Sequence, residues 1–150
     1  MNKKLLLLSL LAMPGIVAAS GYDLASPEYS FVANELNRHT NGPAAWINQQ
    51  GNSNGVNAIQ NGNHLLSVVS QNGNGNTADI YQSGGYNLAW VDQAGNGNDA
   101  DIKQSGYGNT GIVIQRGSGN YANIAQSSSV GSTTVIVQNS SQMAVRVTTR

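Results

Sequence analysis

Glutamine recurs at Gln49, Gln60, Gln71, Gln82, Gln93, Gln104, Gln115 and Gln126, each 11 residues after the last. A primary amide carries two donor hydrogens and an acceptor oxygen, so amides at fixed spacing can hydrogen-bond to copies of themselves. Asparagine keeps the same period at Asn54, Asn76, Asn87, Asn98, Asn109 and Asn120, with Pro43 and Leu65 in the two remaining places. Groups suited to proton transfer or metal binding are sparse. Asp79 and Asp101 lie 22 residues apart; stacked about 5 Å apart, they would match the carboxyl separation of retaining glycosidases. No His or Lys converges on them, and like charges at that distance repel by about 1 kcal/mol in water. They read as charges that moderate edge-to-edge aggregation. His39 and His64 have no second ligand at metal spacing and read as solvated residues. No catalytic, cofactor or metal site is expected.

The elements that must position the amides follow from the rest of the period. Ile47, Ala58, Val69, Ile80, Val91, Ile102, Val113 and Ile124 stand two residues before the glutamines. Ala45, Val56, Ser67, Ala78, Ala89, Ala100, Gly111 and Ala122 stand four before. Glycine follows by two residues from Gly51 to Gly117, with Ser128 ending the series. The half-repeat is Asn-x-Ala-x-Ile-x-Gln-x-Gly. A spacing of two predicts a β-strand with Asn, Ala, Ile/Val and Gln on its inner face. The glycine and its neighbours, as in Gly73-Asn74-Gly75, predict a turn with positive φ. Two strands and two turns make a 22-residue coil, and coils are expected at 43–64, 65–86, 87–108, 109–131 and 132–150.

Such coils would stack with equivalent strands paired about 4.8 Å apart, giving an all-β solenoid with a narrow dry core of Ala and Ile/Val. Burying Asn and Gln is costly unless they pair, and stacking lines them into amide ladders. One residue is inserted between Gln126 and Ser132, after which the register resumes with Thr134, Ile136 and Gln138. The last strand carries Met143, Val145, Val147 and Thr149 where Asn, Ala, Ile and Gln are expected, so a ladder should end there.

Composition agrees with this architecture. Of 150 residues, 9% are charged, none is cysteine, and 31 are Asn or Gln. That excludes disulfide and thiolate-metal scaffolds, and argues against a basic nucleic-acid surface. Residues 1–19 read as a secretory signal peptide: Lys3 and Lys4, the apolar run Leu5 to Ala12, then Val17-Ala18-Ala19 before the cut. Residues 20–42 lack the repeat, and read either as a flexible arm or as an address for an export or assembly machine.

The outward faces differ. First strands show Trp46, Val68, Trp90, Ile112 and Val135 at the central outward site, and second strands show Asn57, Asp79, Asp101, Asn123 and Arg146. An apolar stripe marks a surface for a partner or membrane, for lateral fibre association, or simple β-propensity.

The repeat Asn-x-Ala-x-Ile-x-Gln-x-Gly-x-x-Asn-x-Ala-x-Ile-x-Gln resembles that of the curlins, the subunits of bacterial curli amyloid fibres. Gly21-Tyr22-Asp23-Leu24 and the ending from Gln142 to Thr148 extend the resemblance over nearly the whole chain. It implies passage through the periplasm, an accessory curli assembly factor and an outer-membrane secretion pore. It further implies peripheral outer-membrane contact, self-association, and retention on the cell surface in fimbriae for adhesion and biofilm. Its ending is similar to the curlin that nucleates fibres. That implies templating of the major curlin subunit by addition at an open edge, the alternative being the fibre-forming subunit itself. Gln60 to Gln126, with Asn54 and Gln138, would be the templating amides. Surface attachment, by the same resemblance, would fall to residues 132–150, with Met143, Arg146 and Arg150.

Overall fold

In the computed structural model residues 42–150 are described; the expected signal peptide (1–19), His39 and all but the last residue of the segment 20–42 lie outside the described residues. Ten strands follow one another: β1 (Ala44–Gln50), β2 (Gly55–Asn63), β3 (Leu66–Asn74), β4 (Thr77–Gly85), β5 (Leu88–Asn96), β6 (Asp99–Tyr107), β7 (Thr110–Ser118), β8 (Tyr121–Ser128), β9 (Thr133–Gln138) and β10 (Ala144–Thr149). Odd strands form one five-stranded sheet in the order β1-β3-β5-β7-β9, and even strands form the other, β10-β8-β6-β4-β2. Every pairing is parallel and joins a strand to the next strand but one, as with Gln49↔Gln71 and Gln71↔Gln93. The chain is therefore the expected β-solenoid of five coils. In the last coil the register steps by 23 residues, pairing Gln115 with Gln138 and Ile124 with Val147. The extra residue is taken up between Ser128 and Thr133.

The inner faces make one core from Val69, Ile80, Val91, Ile102, Val113, Ile124 and Ile136, interleaved with Ala78, Ala89, Ala100 and Ala122. In the middle coils the position four before each glutamine is Ser, Ala or Gly, for a packing reason. A Cβ on Gly111 would lie 3.1 Å from Ile102 Cγ2, 3.2 Å from Gln104 Nε2 and 3.3 Å from Gln126 Oε1. Opposing glutamines reach over Gly111, so a large side chain there would push the sheets apart; Val56 and Thr134 take the equivalent place only in the first and last coils.

The corners impose a second constraint. Gly73 and Gly95 both have φ +127, and a Cβ on Gly73 would stand 1.9 Å from the Gly95 carbonyl oxygen of the coil above. Both belong to the ends of strands rather than to the turn proper, because ladder pairing continues through Gly73↔Gly95 and Asn74↔Asn96. The left-handed residue after them is less demanding. A Cβ on Gly75 or Gly97 would meet nothing within 4 Å, and at equivalent corners Ser53, His64, Tyr86 and Gln142 hold φ of 54 to 59.

Candidate functional site: amide ladders and open strand edges

The inner glutamines form two continuous ladders. In the odd sheet Gln49 Nε2 donates to Gln71 Oε1 at 2.7 Å, Gln71 to Gln93 at 2.8 Å, Gln93 to Gln115 at 2.9 Å and Gln115 to Gln138 at 2.8 Å. In the even sheet Gln60 donates to Gln82, Gln82 to Gln104 and Gln104 to Gln126 at 2.8 to 2.9 Å. The second amide hydrogen crosses the core to a main-chain carbonyl of the opposite sheet, as from Gln93 to Thr77 O at 2.8 Å and from Gln104 to Leu88 O at 2.8 Å. Because Nε2 must face that carbonyl, the amide cannot flip, and every rung points from coil n to coil n+1. Among the described residues, no buried side-chain N or O lacks a partner, the condition under which buried amides cease to be a liability.

The asparagines form rungs of their own at the corners that lead into the strands. Asn54, Asn76, Asn87, Asn98, Asn109 and Asn120 precede their strands by one residue; from Asn76 on they are buried, and Asn76 Nδ2 donates to Asn54 Oδ1 at 3.2 Å and Asn98 Nδ2 to Asn76 Oδ1 at 3.1 Å. Their Nδ2 groups hold the corner carbonyls, Asn54 donating to Gln50 O at 3.0 Å and to Gly73 O at 2.9 Å. Their Oδ1 atoms accept the next asparagine's main-chain N–H: Asn76 N to Asn54, Asn98 N to Asn76, Asn120 N to Asn98, and Asn109 N to Asn87. An asparagine suits this place because its short side chain mimics a backbone turn, a role a two-residue period does not reveal. Leu65 replaces it at one corner and is buried.

The ladders end unequally. At the first coil, Gln49 and Gln60 Oε1 receive no hydrogen bond among the described residues. At the last coil, Gln126 Nε2 turns to Thr110 O, Ser132 O, Ser132 Oγ and Thr134 Oγ1. Thr149, at the next glutamine position, lies with its hydroxyl 3.2 Å from Ser132 Oγ. Met143 takes a corner asparagine's place and gives only its main-chain N–H, to Asn120 Oδ1 at 3.0 Å. Met143, Arg146 and Arg150 are all exposed.

Trp46, Val68, Trp90, Ile112 and Val135 stand in one register column of the odd sheet. It is not a continuous exposed stripe, which corrects the expectation. Val68 and Ile112 are buried, at 6% and 3% exposure. Val68 clusters with Leu66 and Leu88, and Trp90 packs against that group, so large side chains shield the smaller ones between them. Trp46 and Val135 remain exposed.

Asp79 and Asp101 are register partners on the even sheet, and Asp101 accepts from Asn123 Nδ2 at 2.7 Å. Burial pushes the Asp99 carboxyl above its ordinary value, with Asp79 and Asp101 adding repulsion. Asp99 was not singled out from the sequence, since it stands in a column with Thr77 and Tyr121 rather than with another carboxylate. On the odd sheet Asp92 pairs with Arg116. At one corner His64 stacks on Tyr86 at 4.2 Å, and Tyr86 meets Tyr107 at 4.9 Å; the 22-residue spacing of His64 and Tyr86 was the available signal. No helix among the described residues is long and apolar enough to cross a membrane.

The arrangement defines a class: a parallel β-solenoid whose repeat is a self-complementary hydrogen-bonding unit, its end strands unpaired on their outer sides among the described residues. Residues 51–80, 73–106 and 95–127 each match the curlin associated repeat, and the chain belongs to the curlin family. It is 52% identical over 68 residues to the minor curlin subunit of Escherichia coli strain K12, a match covering 44% of this chain and 45% of that protein. It is 49% identical over 69 residues to the minor curlin subunit of Salmonella typhimurium, covering 45% of this chain and 46% of that protein. The matched segment thus spans less than half the length of these relatives. No solved structure matches the chain.

Proposed function

We propose that this protein is a curli component that nucleates fibres at the cell surface, templating the major curlin subunit by strand addition. The observation that carries this reading is the register of the ladders. Each coil presents its neighbour with a strand pair and inner glutamines in the arrangement it already satisfies on its other side. An incoming chain with the same period finds every donor and acceptor placed in advance, so the unfavourable first ordering step of a solenoid is skipped. Family membership and the printed identity of the relatives as minor curlin subunits support it.

Residues 54–126 supply the template and residues 132–150 the attachment, through the exposed Met143, Arg146 and Arg150. The route is export through the periplasm and an outer-membrane pore with an accessory assembly factor, ending in fimbriae on the outer surface. Trace amounts of the mature chain mixed with purified major curlin subunit should abolish the lag phase of polymerisation; an unchanged lag contradicts the reading. Deleting 132–150 should release nucleating material into the medium, and surface fibres retained after that deletion contradict the attachment assignment.

A further inference from the structure

The two ends of the solenoid offer an incoming coil different numbers of usable groups, and the glutamine ladders have a direction. Resting on the nucleation reading, we propose that recruitment occurs at the β1/β2 edge of the first coil. We further propose that the recruited unit is the terminal coil of a different chain, one carrying glutamine in both strands and asparagine at its corners.

Each coil has four ladder places: a corner residue and a glutamine for each strand. On the first coil Gln49 and Gln60 present acceptor oxygens, and the Asn54 main-chain N–H is placed to donate to a preceding Oδ1, as Asn76 N does to Asn54 at 3.0 Å. Only Pro43, which has no N–H, fails. Three places of four continue the ladder. On the last coil Gln138 alone does so, with one amide hydrogen spent on Tyr121 O at 3.0 Å and the other available. Ser132 occupies one corner, and Met143, with no Oδ1, the other. The Thr149 hydroxyl lies beside Ser132 Oγ. Arg146 and Arg150 add charge to this edge, a device that blunts strand pairing.

The polarity of the ladder then selects the partner. An incoming coil seated on β1 and β2 must donate amide hydrogens to Gln49 and Gln60 and supply an Oδ1 for the Asn54 N–H. A second copy of this chain, docking by its own last coil, offers Gln138 to Gln49 but Thr149 to Gln60 and Met143 to Asn54. It satisfies one of the three and leaves the others facing an apolar or hydroxyl surface, where an unmet amide is costly. A coil with both glutamines and an even-strand corner asparagine satisfies all three. The last coil therefore acts as a stop against self-addition while the first acts as the growing face.

The test uses the full mature chain in the seeding assay with purified major curlin subunit. Wild-type protein must shorten the lag; if it does not, the nucleation reading itself has failed. Given seeding by wild type, Gln49→Leu/Gln60→Leu should cut seeding efficiency at least tenfold while Val137→Lys, which puts a charge on an exposed position of the β9 edge, seeds within about twofold of wild type. Equal seeding by the two variants, or the greater loss in Val137→Lys, overturns the assignment of the growing edge. A gain-of-function variant guards against misfolding. Met143→Asn/Thr149→Gln completes the last coil and should shorten the lag of the protein polymerising alone severalfold. An unchanged lag would overturn the inference that the last coil blocks self-addition.

Discussion

Gln71 donates one amide hydrogen to Gln93 Oε1 at 2.8 Å and the other to the main-chain carbonyl of Gly55, 3.1 Å away in the opposite sheet. One side chain thus ties adjacent coils together and the two sheets to each other. That double use explains why glutamine, with its longer reach, fills the inner strand place while the periodic asparagines from Asn54 to Asn120 stand at the corners.

The middle of the odd ladder should be the most sensitive to losing this group. Gln93→Leu removes the acceptor of Gln71 and the donor to Gln115 and to Thr77 O. Leaving buried amide groups unmet costs about 1–3 kcal/mol each, so denaturant unfolding of the soluble form should show a loss of about 2–4 kcal/mol. A loss under about 1 kcal/mol would mean that the ladder contributes little.

Glycines differ sharply by position. Gly95→Ala places a methyl 1.7 Å from the Gly117 carbonyl oxygen at φ +127, and should destabilise by at least about 2 kcal/mol. Gly55→Ala, at ordinary φ with nothing within 4 Å, should stay within about 0.5 kcal/mol. Thermal melts of both variants check the contrast.

Asp99 makes stability depend on pH with a definite sign. Its folded carboxyl titrates above 3.8 because burial, and then Asp79 and Asp101, disfavour the charge. Between the unfolded value and the raised folded value the folded state binds the more protons, so stability falls as pH rises through that window and levels off above it. Asp99→Asn should remove this component and raise the melting temperature at neutral pH. A melting temperature that falls on this change would contradict the account.

The two tryptophans should separate. Trp90 packs on the Leu66, Val68 and Leu88 cluster, and Trp90→Ser should cost about 1–3 kcal/mol, less than a fully buried aromatic. Trp46 is 37% exposed on the edge strand, and Trp46→Ser should cost under about 1 kcal/mol. Equal losses would mean that shielding of Val68 is shared evenly along the column.

Much of this architecture was legible because the chain repeats. Eight glutamines at one period, with Ile/Val two before and Gly two after, leave no other element that places like on like, and the single insertion before Ser132 accounts for the 23-residue step to Gln138. What was not legible depends on distances across the core and around the corners. A two-residue period stacks Asn98 on Asn76, as the structure does, but it does not show that the same Asn98 Nδ2 also holds the Gly117 carbonyl at the corner. The burial of Val68 and Ile112 depends on neighbours 22 or 23 residues away, and the raised titration of Asp99 on its burial and on Asp79 and Asp101 beside it. The direction of the ladders required the cross-sheet carbonyls, which spacing alone does not place.

The central claim is that residues 22 apart sit directly above one another, whereas residues 11 apart lie on opposite sheets. Because the chain has no native cysteine, spin labels can be placed at Tyr81 and Lys103, which are exposed register partners on β4 and β6, or at Tyr81 and Asp92 for comparison. Strand spacing of about 4.8 Å predicts strong dipolar broadening in continuous-wave electron paramagnetic resonance for the 81/103 pair and little for 81/92. Equal broadening in the two pairs, or none in 81/103, would contradict the stacked solenoid and the templating edge built on it.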